Sequence, residues 1–489
     1  MITADLERFA LACILPGFEG PAAPDWVRRR LAEGLGGIVL FGWNVESPEQ
    51  LRSLTATLRA EGDVLVGIDE EGGDVTRLEV ATGSSYPGNA ALGAVDDIEL
   101  TERVAASIGA DLAEVGVNLN LAPVADVNTN PRNPVIGIRS FGPDGELVAR
   151  HVAASVRGLQ RAGVAACAKH FPGHGDTAED SHHELPVVES LEDAALLPFR
   201  AAVAAGVQAI MTAHIVVRSL GETPATMSRE VLTDLLRDEL GYGGLVITDA
   251  LEMKAISATV GVEEGAVRSI AAGADALCLG HDLFDESVVS VRDALVGAVR
   301  AGRLPESRLV EAAERVRSTA AWASRAGSGE RVAKDVGRVA AERALRLVGE
   351  VSPTAPPLVV ELEPEPGMAA GRLGQSPGEW FRNVVPETEI VRPKDGSVNG
   401  ALAEADGRQV VVVTRDAHRH ERARAAIEEL VGRFPDLVLV ELGLPYWHPS
   451  AGAFVATYGA GRVNVEAAAE ALYFRSRRGV EQSGSSPGS

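Results

Sequence analysis

The residues best able to do chemistry crowd into one stretch. Lys169-His170-Phe171-Pro172-Gly173-His174-Gly175-Asp176-Thr177 runs on through Asp180-Ser181-His182-His183-Glu184-Leu185-Pro186, and four of the chain's ten histidines fall within it. A lone histidine is most often a satisfied structural residue. A lysine, four histidines and several carboxylates in one segment are instead a set of proton donors, proton acceptors and hydroxyl-binding groups. Gly173 and Gly175 allow tight or left-handed backbone, so the stretch reads as a folded loop in which His174 and His183 can act as braces. An aspartate two residues before His182 can hold that imidazole's tautomer and steady its cation. Further polar residues stand at the ends of apolar runs: Asp69 after Val64–Ile68, His214 closing Gln208–His214, and Asp249 closing Leu245–Asp249. The bland reading of Asp249 is a strand-end carboxylate bonded to backbone amides. The reactive reading is a nucleophile.

Those positions make sense once the elements are laid out. Eight short apolar runs (Phe9–Leu15, Gly37–Phe41, Val64–Ile68, Val117–Pro123, Ala165–His170, Gln208–His214, Leu245–Asp249, Ala274–Leu279) alternate with amphipathic helical stretches such as Pro48–Ala60, Glu99–Val115 and Glu146–Ala162. Each run is continuously apolar, as expected of strands covered on both faces. The pattern predicts an α/β fold over 1–325: a (β/α)8 TIM-type barrel, irregular in its first strands. In such a barrel functional groups belong at the carboxyl ends of the strands, where Asp69, Lys169, His170, His214 and Asp249 all fall. A chain of 489 residues exceeds one ordinary core, so a second domain is expected. A polar break at 325–330 and a Pro-rich segment near 353–357 mark a linker over 326–356. Renewed strand and helix signals then predict a smaller α/β sandwich over 357–481, and the Ser/Gly/Pro-rich 482–489 reads as a disordered tail.

Composition excludes several classes. A formal net charge of −23 opposes a phosphate backbone or an anionic membrane, so neither nucleic acid nor membrane is an expected partner. Cys13, Cys167 and Cys278 lie in apolar runs without C-x-x-C spacing, which reads as buried thiols in a reducing compartment. With no signal-like start and no run long enough to span a bilayer, a cytoplasmic location is expected. A monomer acting on a small molecule, with no metal and no cofactor, completes the expectation.

The motifs then resemble a known family. K-H-F-P-G-H-G-D-T followed by D-S-H and L-P is similar to the signature of the family 3 β-N-acetylglucosaminidases, the NagZ group. Ile247-Thr248-Asp249-Ala250-Leu251 resembles their nucleophile strand, and Asp69-Glu70-Glu71-Gly72-Gly73 through Arg77 their D-x-E-G-G sugar-binding segment. Leu121–Val127, and Asn133–Gly137 continuing through Arg139–Gly142, match further family stretches in the same order. The resemblance implies a retaining glycoside hydrolase. Asp249 would attack the anomeric carbon, His182 would act as acid and then base, and Asp180 would orient it. Asp69, Arg77, Arg139, Lys169 and His170 would bind the sugar. The chemistry is coherent without the name, since retention needs a nucleophile on one face and an acid/base on the other. A histidine with a pKa of about 6.5 can replace the usual second carboxyl group.

The chain departs from the family in two places. Glu70 and Asp74 stand where relatives often carry Gln and Arg, which weakens the case for an anionic aglycone such as a muramic acid unit. Ala250 follows the nucleophile where many members have a second aspartate, so Asp249 is the only candidate there. Competing readings are a phosphorylase using the same residues, a family 3 glucosidase or xylosidase taking its acid from the second domain, and a metal-dependent amidohydrolase built on Lys169, His214 and Asp249. The last lacks the H-x-H expected after the first strand. A catalytically inactive sugar-binding protein is the non-enzyme alternative.

Overall fold

In the computed structural model the apolar runs become eight parallel strands: β1 (Ile14–Pro16), β2 (Gly37–Leu40), β3 (Leu65–Ile68), β4 (Leu119–Asn120), β5 (Ala165–Phe171), β6 (Ala209–Thr212), β7 (Leu245–Ile247) and β8 (Leu277–Gly280). The structure describes residues 3–177, 185–282, 284–326, 335–349, 351, 356–362, 369–371, 373–393, 405, 407–449 and 452–475. β2 to β7 form one sheet in chain order, β1 pairs with β8, and an Ile247–Ala276 bridge joins β7 to β8. The sheet curls into a TIM-type barrel. Leu15, Val39, Leu65, Leu119, Cys167, Met211, Ile247 and Cys278, one from each strand, share a single buried cluster. Among the described residues no strand ladder joins β1 to β2, and β7 meets β8 only through the Ile247–Ala276 bridge. The helices between strands start where the sequence supplies caps: the side chains of Ser47, Asp97 and Asp144 accept from the amides of Gln50, Leu100 and Leu147.

Two expectations about strands change. Phe9–Leu15 is not one strand, because Thr3–Ala12 is a helix and extended chain begins only at Ile14. A short apolar run fits either period, and here Leu6 and Ala10 bury one helical face. Val117–Pro123 contributes a ladder of only Leu119–Asn120. Beside it, side chains take over backbone roles. Asn118 accepts from the Val66 amide and donates to the Val64 carbonyl, while Asn120 accepts from the Glu70 amide and donates to its carbonyl. Both asparagines are buried, and each side chain pairs with a backbone N–H and a backbone C=O beside the short ladder.

The chain splits into two compact units. The first takes its described residues from Met1–Glu71, Asp97–Ile136 and Ser140–Lys334, and the second from Gly72–Asp96, Gly137–Arg139 and Asp335–Ser489. Two segments lying in sequence between barrel strands are thus counted with the second unit. Ala90 and Ile138, one from each, share a core with Trp380, Phe381 and Val465. The second unit's sheet comprises β9 (Arg346–Val348), β10 (Leu358–Leu362), β11 (Glu389–Val391), β12 (Val410–Thr414), β13 (Val438–Glu441) and β14 (Ala453–Ala456). Its order is β9-β14-β13-β12-β10-β11, parallel except for the antiparallel edge strand β9. Strand alternation sorts the side chains. Val359, Val411, Val413 and Val440 pack with Trp380 and Val465, whereas Leu358, Val360, Val412 and Leu439 pack with Ile427 and Leu430. Both faces are covered, giving an α/β sandwich.

Candidate active site

Parallel strands in one barrel send all their carboxyl ends to one rim, and the barrel's reactive residues gather there. Lys169, near the end of β5, is 2 % exposed. Its Nζ lies 2.6 Å from Oδ1 of Asp69, just past β3, and 2.7 Å from Oε1 of Glu71. A buried ammonium tolerates such a place only when paired, and two carboxylates do that here. His170, next along β5, bonds through Nδ1 to Oδ2 of Asp126 at 2.7 Å. That aspartate is completely buried and also accepts from the backbone amides of His170 and His174. Nδ1 is therefore held against a carboxylate, and Nε2 is the ring atom left to face outward chemistry.

His174 braces the loop after β5. Its carbonyl accepts from Asn133 and from the Thr177 hydroxyl, and its Nδ1 lies 2.7 Å from that same hydroxyl. Burial pushes its pKa down to about 4, against the opposing pull of Asp126, so the ring is neutral at pH 7.

Asp249 stands two residues beyond β7 and is half-buried. Its Oδ1 accepts the Ala250 amide at 2.8 Å. The next peptide is tethered too, since fully buried His214 donates from Nε2 to the Ala250 carbonyl at 3.0 Å. Its Nδ1 lies 2.7 Å from the Thr226 hydroxyl. Both nitrogens of His214 are thus engaged with protein atoms and Lys169 is engaged with carboxylates, so the arrangement is not that of a two-metal amidohydrolase. Burial pushes the thiols of Cys167 on β5 and Cys278 on β8 upward, and Asp249 and Asp69 reinforce the shift at both.

Arg77 and Arg139 belong to the second unit. There Arg77 donates to the Ala369 and Ala370 carbonyls, and the Arg139 carbonyl accepts from Asn89. Asp180 and His182 lie outside the described residues. Asp74 is paired with Arg415 at 2.7 Å within the second unit, which neutralises its charge. Sequence reasoning gave no role to Asp126 or Glu71. Both lay in quoted motifs, and the available signal was an acidic residue amid apolar neighbours or beside Gly-Gly.

Residues 25–319 match the glycosyl hydrolase family 3 N-terminal domain. The chain belongs to glycosyl hydrolase family 3. A beta-hexosaminidase of Chromobacterium violaceum is 33 % identical over 346 residues, which cover 68 % of this chain and 93 % of that one. Beta-hexosaminidase A of Pseudoalteromonas piscicida is 41 % identical over 269 residues, but this chain spans only 45 % of its length. Among solved structures, a glycoside hydrolase family 3 beta-N-acetylglucosaminidase from Paenibacillus sp. superposes with a TM-score of 0.87 at 36 % identity, covering 96 % of both chains. This family 3 chain therefore shares both its barrel and its sandwich with a solved relative.

Proposed function

We propose that this family 3 glycoside hydrolase is a retaining β-N-acetylglucosaminidase. The observation that carries the reading is the position of Asp249. It is half-buried, accepts the Ala250 amide, and stands on the same barrel rim as His170 and the Lys169–Asp69–Glu71 cluster. In the first step Asp249 attacks the anomeric carbon while the His182 imidazolium gives its proton to the departing glycosidic oxygen, leaving a covalent glycosyl-enzyme. In the second, His182 takes a proton from water, whose oxygen displaces Asp249 and restores the β-configuration. Asp180 holds the imidazole's orientation through both steps. Asp69, Lys169 and His170 bind sugar hydroxyls. Names of relatives as beta-hexosaminidases and as a beta-N-acetylglucosaminidase support the substrate class.

The substrates proposed are peptidoglycan fragments or chitooligosaccharides, met in the cytoplasm in wall-fragment recycling. Three buried free thiols support a reducing compartment. No described helix is long and apolar enough to cross a membrane. The test is a chromogenic β-N-acetylglucosaminide assay. Wild type cleaves it, and Asp249→Asn lowers kcat by about 10³-fold or more, the loss expected when a nucleophile is removed. Retention of half the wild-type rate by that variant would end the assignment. With phosphate added, the product remains N-acetylglucosamine, and appearance of N-acetylglucosamine 1-phosphate would reassign the second acceptor.

A further inference from the structure

We propose that Trp43, backed by Phe41 and His281, is a preformed platform for a neutral pyranose ring on the leaving-group side of Asp249; this rests on the glycosidase reading above. Phe41 directly follows β2 and His281 directly follows β8, so the three rings stand on the same rim as Asp249. Phe41 stacks on Trp43 at 13° with centroids 5.0 Å apart, and the His281 ring is also 5.0 Å from Trp43. The Phe41 and His281 rings are only 5.5 Å from one another. Rings on opposite faces of an indole at those separations would be about 10 Å apart, so both partners lie to one side of it. Trp43 is 44 % exposed, and with Phe41 and His281 together on one side the platform is the face they leave uncovered.

The rings are held in place by their surroundings. The indole N–H donates to the Phe18 carbonyl at 3.0 Å, so no polar edge of Trp43 needs solvent. Fully buried Asn44 accepts the Phe41 amide and donates to the carbonyls of Phe18 and Gly20, which fixes the turn that carries Trp43. His281 is gripped by Glu252, three residues beyond Asp249, at 2.9 Å, and its own backbone amide donates to the same carboxylate. Glu252 reaches that place because residue 280 is glycine. Its φ is +85°, and an added Cβ there would meet the Glu252 carboxylate at 2.0 Å. The hydrogen bond that the His281 ring donates to the Glu252 carboxylate raises the His281 pKa, so the backing ring takes a positive charge readily and attracts the indole face.

The occupant follows from this chemistry. A flat, exposed aromatic face with its N–H already engaged favours the axial C–H face of a sugar, while ring edges and hydroxyls need polar partners beside it. Glu252 and Asp282 flank His281 and offer acceptors. Two carboxylates against one imidazole repel an anionic aglycone, so a neutral hexopyranose, such as a second N-acetylglucosamine, is the occupant.

The test compares N,N′-diacetylchitobiose with methyl β-N-acetylglucosaminide, whose leaving group has no ring. Trp43→Ala is expected to lower kcat/KM on the disaccharide about tenfold more than on the methyl glycoside, and Trp43→Phe to restore most of that selectivity. Equal losses on both substrates, or none on either, overturn the platform. Calorimetric titration of chitobiose into Asp249→Asn protein, with and without Trp43→Ala, reads the platform without turnover. An approximately tenfold weaker Kd supports it, and an unchanged Kd overturns it. A wild type that cleaves neither glycoside refutes the glycosidase reading, and the titration still decides the platform.

Discussion

Replacing Lys169 by methionine isolates the worth of the buried cation at the end of β5. The ammonium is 2 % exposed, 2.6 Å from Asp69 and 2.7 Å from Glu71. At an effective dielectric of about 20, each contact is worth roughly 6 kcal/mol before desolvation. Desolvation of the three groups cancels much of that gain. Removing the cation does not return the desolvation cost, because two carboxylates then face one another in a site that Glu71 shares almost without solvent. A net loss of about 3–5 kcal/mol is expected, with methionine keeping the volume of the apolar stem. For a barrel of about 300 residues that corresponds to a fall of roughly 5–8 °C in Tm. The assay is thermal unfolding by calorimetry at pH 7 and fixed protein concentration. Lys169→Met is compared with wild type and with Lys169→Met/Glu71→Gln. The double variant removes one stranded charge and is expected to regain about 1–2 kcal/mol. A single variant within about 1 °C of wild type, or a double variant less stable than the single, would refute the reasoning.

Two further predictions concern buried titrating groups. His174 is held down at about 4 by burial, so only the unfolded chain takes up its proton below about pH 6.5, and stability falls as pH drops from there towards 4. His174→Gln should remove roughly 2–3 kcal/mol of that loss in urea unfolding at pH 7 and 4.5, and equal pH slopes would count against it. Glu441 is pushed up to about 8, first by burial and then by Asp416, against three backbone N–H bonds from Asp416, Ala417 and Gly443. Its contribution is complete below about pH 4.5 and is lost as pH rises through 8, so Glu441→Gln should gain roughly 3–4 kcal/mol on wild type between pH 5 and 9 in unfolding experiments, where a flat difference would contradict it.

Much of the architecture was legible in the sequence because parallel strands covered on both faces leave continuous apolar runs. Their ends then point out Asp69, Lys169, His170 and Asp249 as rim residues. The apolar runs Pro357–Leu362, Gln409–Thr414 and Leu437–Leu442 likewise announced the strands β10, β12 and β13, since a strand covered on both faces needs no polar alternation. What the sequence alone could not specify was which groups meet. Lys169 and Asp69 are 100 residues apart, and His170 and Asp126 are 44 apart. Only the order of strands around the barrel makes them neighbours. The same holds for the helix at Thr3–Ala12, where tertiary burial of Leu6 and Ala10 chose between two periods that the short run satisfied equally. It holds also for Gly72–Asp96 and Gly137–Arg139. They lie between barrel strands in the chain, but Ala90 and Ile138 bury their surface with Trp380 and Phe381. Local pattern determined what each segment could become, and packing between distant segments decided which carboxylate holds which base, because charge and apolar surface are satisfied in space rather than along the chain.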